Sequence, residues 1–253
     1  MGAVHGVYLK YVGLSALSYA GYSAVTMLGP MEGTGGAPLK IPYWKLATSA
    51  VLGYSTIVNG VIAVLFKSER GMGLIGKDKI KGTIPSWSYF IYFPFHLPTL
   101  LYTYLHTKFG TFKNPSTQKK EIVPVATEVQ PGWWVGGCYA SELNMDWAAV
   151  IDLTVEFPEY TMDRTKAYLS MPTWDGVPAS PAQLEEAATF AVDAHKNGHV
   201  LIHCAHGRGR STTIMCAALV KAGLYDTFED ALEKGIRPAR PVCKLNRRMR
   251  QNL

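Results

Sequence analysis

Three long stretches of the chain, residues 11–31, 46–66 and 82–107, contain no Asp, Glu, Lys or Arg. Each reaches the roughly 20 residues that cross a hydrocarbon core at about 1.5 Å of helix rise per residue. The second, LATSAVLGYSTIVNGVIAVLF, is the strongest candidate span, and its Ala50, Gly53 and Gly60 allow another helix to approach closely. The first is rich in Ser, Ala and Gly, a composition suited to a helix packed on protein within a membrane. The third carries Trp87, many Tyr and Phe residues, Pro94 and Pro98, which predicts a kinked span or a segment lying in the interface. Core helices of a soluble domain carry a charged outer stripe, and these runs have none. Residues 1–107 are therefore expected to form a membrane region of two to three hydrophobic helices.

The pattern changes after residue 107. A polar linker over 108–127 precedes a shorter-period region, 128–253, that reads as one domain. VATEVQPGWWVGGCYASEL at 125–143 predicts a short strand and turn, and AVIDLT at 149–154 predicts a buried strand. Ser180, Pro181 and Gln183 supply an N-cap, a first-turn proline and a capping-box partner for a helix that Asn197 and Gly198 stop. HVLIHC at 199–204 predicts another buried strand, residues 211–223 a helix ending at Gly223, and 227–234 and 246–253 two short helices. Strands alternating with helices imply an α/β fold, a central sheet flanked by helices, here preceded by the helical transmembrane region.

Charge sharpens this division. The 253 residues are 48% hydrophobic and only 17% charged, below the roughly 25% of an ordinary soluble domain. The net charge of +6 invites a nucleic-acid reading, but residues 1–107 hold three acids (Glu32, Glu69, Asp78) against eight bases, and 108–253 hold the other 16 acids and 17 bases. The excess lies between apolar runs, so it is read as membrane-surface charge with no nucleic-acid partner. Lys67, Arg70, Lys77, Lys79 and Lys81 follow the second run, against Lys40 and Lys45 before it, which favours a cytosolic second connector. Cys138, Cys204, Cys216 and Cys243 show neither zinc spacing nor a disulfide framework, which fits an integral membrane protein whose residues 108–253 face the cytosol or another reducing compartment.

The chemistry concentrates at residues 203–211, HCAHGRGRS, between a predicted strand and a predicted helix. Such a loop can wrap one phosphate with inward N–H groups at a helix N-terminus, its glycines allowing the tight curvature and Arg210 gripping two oxygens at once. The same field lowers the pKa of Cys204 from about 8.5 toward a thiolate at neutral pH.

His203, Cys204, Arg210 and Ser211 match H-C-x5-R-[ST], and the chain here resembles the cysteine-dependent protein tyrosine phosphatases, more closely their small dual-specificity branch. The resemblance covers residues 128–253, about half the chain. WWVGGCYASEL at 133–143, VIDLT at 150–154 and GIRPARPVCKLN at 235–246 resemble further segments of that branch, and PTWDG at 172–176 resembles its general-acid loop. The domain is too short for the classical tyrosine-specific branch. The resemblance implies Cys204 as nucleophile, Asp175 as general acid and then base, Ser211 as a hydrogen-bond donor to the thiolate, and His203 as an orienting group behind the loop. It also implies phosphate binding by Ala205, His206, Gly207, Arg208, Gly209 and Arg210, with no metal and no cofactor. Asp163 and Asp152 are rival acids; Cys138, Cys216 and Cys243 are expected to be packing residues. His206 and Arg208 are expected to be exposed and to tune substrate choice. Arg247, Arg248 and Arg250 are expected to form a solvated helix face, with membrane contact as the sharper reading.

Three functions follow from the resemblance. The first is a membrane-anchored dual-specificity phosphatase acting on phosphotyrosine, phosphoserine or phosphothreonine in proteins. The second is a phospholipid phosphatase, for a phosphoinositide or phosphatidylglycerophosphate; such enzymes tend to carry lysine inside the loop, where Ala205 and Arg208 stand here. The third is a phosphate-binding pseudophosphatase module, against which the intact Cys204, Arg210, Ser211 and Asp175 count.

Overall fold

A computed structural model describes residues 3–28, 41–114 and 117–253, so Lys40 of the first connector lies outside the described residues. The chain divides into two compact units, one of them His5–Arg70 and the other built on Gly71–Leu253.

The first unit contains α1 (Ala3–Met27) and α2 (Tyr43–Ser68). They run antiparallel: the rings of Tyr11 and Phe66 lie 4.9 Å apart, and the Ser15 hydroxyl donates to the Thr56 carbonyl at 2.8 Å. Small residues permit the approach, since a Cβ on Gly60 would meet Ser15 Oγ at 3.5 Å and one on Gly53 would meet the Tyr22 ring at 3.6 Å. Among the described residues α2 is the one helix long and apolar enough to cross a membrane, by length and composition. Leu46, Val51, Ile57, Val61 and Val64 are exposed on it.

The second unit begins at Gly71, well before the expected boundary at residue 108. The third charge-free run is not one continuous helix: it folds as α3 (Ser86–Ile91) and α4 (Phe93–Phe109), which meet at Tyr92. Its apolar character is partly that of a packed element, since Ser88, Phe95, His96 and Thr103 are buried. The expected linker holds a hairpin of β1 (Thr111–Lys113) and β2 (Lys120–Ile122), and then the start of β3 (Ala126–Gln130).

The central sheet has the order β3-β4-β7-β5-β6, with β4 (Trp133–Gly136), β5 (Trp147–Thr154), β6 (Thr165–Thr173) and β7 (Val200–His203). The pairs β4·β7, β5·β7 and β5·β6 are parallel; β3 is antiparallel to β4. The period-2 alternation sorts the side chains. Ala149, Ile151, Leu153, Val200 and Ile202 join the core under α5 (Pro181–His195) and α6 (Arg210–Lys221), whereas Val150 and Leu201 belong to a second cluster. The α5 start carries the expected capping box between Ser180 and Gln183. After α6, α7 (Phe228–Asp230) continues into a π-helical turn at Ala231–Ile236, and α8 (Arg247–Asn252) closes the chain.

Candidate active site

Parallel strands converge with their carboxyl ends at one sheet edge, where α/β folds place ligands. The chain leaves β7 there, turns through residues 204–209 and enters α6 at Arg210. Two features fix the turn. Gly207 has φ +64°, and a Cβ on it would lie 2.6 Å from the Gly136 carbonyl, so only glycine fits. Buried Arg240 donates from Nε to Gly207 O at 2.9 Å and from Nη2 to His206 O at 3.2 Å, while Nη1 reaches Pro124 O and Thr127 Oγ1. Because the peptide is planar and trans, turning these two carbonyls toward Arg240 turns the following N–H groups, of Gly207 and Arg208, to the opposite side. The backbone N–H groups of Arg208 and Ser211 both act to hold the Cys204 pKa down.

Cys204 Sγ lies 3.4 Å from Ser211 Oγ, and both residues are buried. Burial alone would push the thiol up, but the Arg210 guanidinium, the Ser211 hydroxyl and the two N–H groups outweigh it and hold Cys204 below the ordinary thiol range. Arg210 is itself clamped. It donates from Nη1 to Leu153 O at 2.9 Å and Thr173 O at 2.6 Å, and from Nη2 to Glu156 Oε1 at 2.6 Å. Its Nε is buried with no protein partner among the described residues, a donor pre-set for an anion. Asp175 Oδ1 stands 3.6 Å from Arg210 Nη2, with 40% of its side chain exposed. The neighbouring Trp174 is fully buried and packs edge-on against Phe95 of α4 at 5.9 Å.

His206 is not the exposed residue that the sequence suggested. It packs against α4, with ring centroids 4.6 Å from His106 and 5.6 Å from Tyr102, and burial drives its pKa down to about 3. Arg208 is half-buried, not fully exposed, with Nε unpartnered among the described residues. Helix α4 thus touches both the phosphate-type loop and the Asp175 loop.

Behind the loop lies a buried ionic network. Adjacent strands place Asp152 opposite His203 in register. His203 Nε2 bonds Glu159 Oε2 at 2.5 Å and stands 3.7 Å from Asp152 Oδ1. Lys77 pairs with Asp152 and donates to Thr154 O and Oγ1, each at 2.9 Å. Asp152 also accepts from Tyr168 OH, and Glu159 from the Thr161 N–H and hydroxyl. Asp152, Glu159 and His203 are close enough together to suggest a metal site, but His203 Nε2 already bonds Glu159, and Asp152 already pairs with the Lys77 ammonium.

This network makes a pH prediction. Burial opposes charge on His203, yet Glu159 and Asp152 raise its pKa to about 9, against about 6.5 in an unfolded chain. The contribution is full below about pH 6.5 and is lost as pH rises through about 9. The thermal midpoint of the full chain in detergent should therefore fall between pH 7 and 9.5 more steeply than that of His203→Gln. Parallel profiles would contradict a charged His203.

Sequence comparison is silent: no family model and no curated protein matches the chain. Solved structures resemble about half of the chain. Human DUSP28 is 21% identical over 51% of this chain and 90% of its own, with a TM-score of 0.45. Tk-PTP in its active form is 24% identical over 51% and 92%, with a TM-score of 0.44. PTPMT1 in complex with PI(5)P is 20% identical over 51% and 91%, with a TM-score of 0.41.

The structure brings Cys204, Arg210, Ser211 and Asp175 to one place and puts His203 behind them. The rival acids lie elsewhere: Asp152 is consumed by the buried network, and Asp163 sits in a 3-10 turn at Met162–Arg164, beside Arg164. Cys138, Cys216 and Cys243 are buried free thiols. Sequence reasoning missed Glu156, Glu159, Lys77 and Arg240, none of which belongs to the H-C-x5-R-[ST] motif.

Proposed function

We propose that this chain is a cysteine-dependent phosphatase that hydrolyses phosphomonoesters through a phosphocysteine, held at a membrane by α2. The observation that carries the reading is the pairing of a lowered-pKa Cys204, 3.4 Å from Ser211 Oγ, with an Arg210 whose buried Nε is aimed at no protein acceptor. The Cys204 thiolate attacks phosphorus, and the leaving oxygen takes the proton of Asp175. Water, deprotonated by the same carboxylate, then attacks the phosphocysteine and returns the thiolate. Arg210 and the loop N–H groups hold the equatorial oxygens throughout, and Ser211 donates to the departing sulfur. Glu156 keeps the guanidinium plane fixed, so binding costs little reorganisation. A phosphoprotein substrate, as the resemblance implies, needs only this loop. A phospholipid substrate needs in addition an apolar surface beside the loop, and α3 with α4 supplies one.

The test is phosphate release by the full chain in mixed micelles, compared with Asp175→Ala. General-acid catalysis contributes roughly 10²–10⁴-fold where the leaving group is poor. Asp175→Ala should therefore lose about that much on an alkyl phosphate and little on an activated aryl phosphate. Equal losses on both would move the acid role to another residue.

A further inference from the structure

Among the described residues the outer face of α3 and α4 is left exposed, although the inner face is packed. Inward, Phe95 meets Trp174 of the Asp175 loop, and Leu100 packs on the cluster of Cys138, Phe157 and Ala205. Outward, Trp87, Phe90, Leu97, Leu101, Leu105 and Phe109 are exposed, Phe90 at 84% and Leu97 at 65%. On α4 these positions recur at i, i+4, i+8, the spacing of one helix face. No Asp, Glu, Lys or Arg interrupts residues 82–107. A scattered exposed leucine needs no explanation, whereas a contiguous apolar face does.

The rim identifies the occupant. Lys79, Lys81, Lys113, Lys119 and Lys120 are exposed around this segment, and Lys108 is exposed but pairs with Glu142 at 3.0 Å. The two acids among residues 71–127 are engaged locally, Asp78 by the N–H groups of Ile80 and Lys81, and Glu121 by Asn114 and Thr117. An apolar and aromatic face with a lysine border matches the boundary of a bilayer that carries anionic headgroups. A second copy of the chain would set this lysine border against its like, which opposes self-association. The apolar α2 ends at Ser68, shortly before α3 begins at Ser86.

We infer that the outward face of α3 and α4 is a docking surface for an anionic bilayer, which holds the mouth of the Cys204 loop at the headgroup layer. What the loop does there, hydrolysing a lipid-borne phosphomonoester, rests on the phosphatase reading above; the docking does not. The same helix that meets lipid packs on His206 and Trp174, so docking and the geometry of both loops share one element.

The full chain is reconstituted in vesicles of phosphatidylcholine and phosphatidylglycerol with brominated acyl chains, and tryptophan emission is compared with that of Trp87→Phe. Bromine should quench a component that Trp87→Phe lacks; identical quenching in the two proteins would overturn the docking. Leu97→Glu/Leu101→Glu, and the milder Leu97→Ser/Leu101→Ser, are then assayed on phosphatidylglycerophosphate in vesicles and on a soluble aryl phosphate. Both pairs should lose about tenfold or more on the vesicle substrate, from lost apolar insertion, with aryl phosphate turnover unchanged. Unchanged vesicle turnover in both pairs would overturn the inference. Wild-type silence on the aryl phosphate would overturn the phosphatase reading instead, while the quenching experiment still judges the docking.

Discussion

Replacing Cys204 by serine should abolish turnover while phosphate-analogue binding persists. The loss should be on the order of 10⁴-fold or more, the scale seen when a nucleophile is removed from an otherwise intact site. The reason is chemical: the serine hydroxyl does not ionise near neutral pH, so the field of Arg210, Ser211 and the loop amides that stabilises a thiolate has nothing to stabilise. Binding should survive because the oxygens of a phosphate analogue meet Arg210 Nε and the loop N–H groups, none of which changes. The measurement is steady-state phosphate release beside tungstate binding by calorimetry. Retained turnover would remove Cys204 from the reaction; lost turnover with lost binding would mean that the loop itself had collapsed.

The second large effect lies far from the loop in sequence. Lys77→Met should destabilise the unit built on Gly71–Leu253 by about 3–5 kcal/mol, because it removes the directly bonded cation of the fully buried Asp152 and leaves it only His203, 3.7 Å away and already bonded to Glu159. Pairing it with Asp152→Asn should restore part of the loss, since the uncompensated charge is then gone. Denaturant unfolding of the full chain in micelles, followed by tryptophan emission, measures both. A loss under about 1 kcal/mol for the single variant would mean that water or another group solvates Asp152. The same reasoning says that a fragment starting at residue 108 lacks the counter-ion of its own core and should be unstable.

How far the sequence foretold this structure depends on how local each signal is. The α5 start was readable because its capping box, Ser180 with Gln183, closes within one turn. β5 and β7 were readable because strands buried on both faces are continuous apolar runs. β6 was not anticipated: it lies at the sheet edge and is mostly half-buried, with Lys166, Ser170 and Pro172 breaking any alternation. Residues 82–107 were ambiguous for a physical reason, since a helix that packs inward on a domain and stays apolar outward has the composition of a span. The motif residues of the candidate site were legible because a phosphate-binding turn demands its own residues in order. Glu156, Glu159 and Lys77 were not, because each acts through a partner 44 to 75 residues away and a single charge has no period. One clue was present: Asp152 inside an otherwise apolar strand needs a buried cation or donor.

The most direct test is a rapid acid quench of the reconstituted full chain during turnover of an aryl phosphate, followed by mass spectrometry of the peptide that contains residue 204. Asp175→Ala, which slows hydrolysis of the intermediate, is run beside the wild type. The account predicts one phosphoryl group on the Cys204 sulfur, more abundant in Asp175→Ala and absent in Cys204→Ser. Phosphate release with Cys204 unmodified throughout, or phosphorylation at another residue, would contradict it.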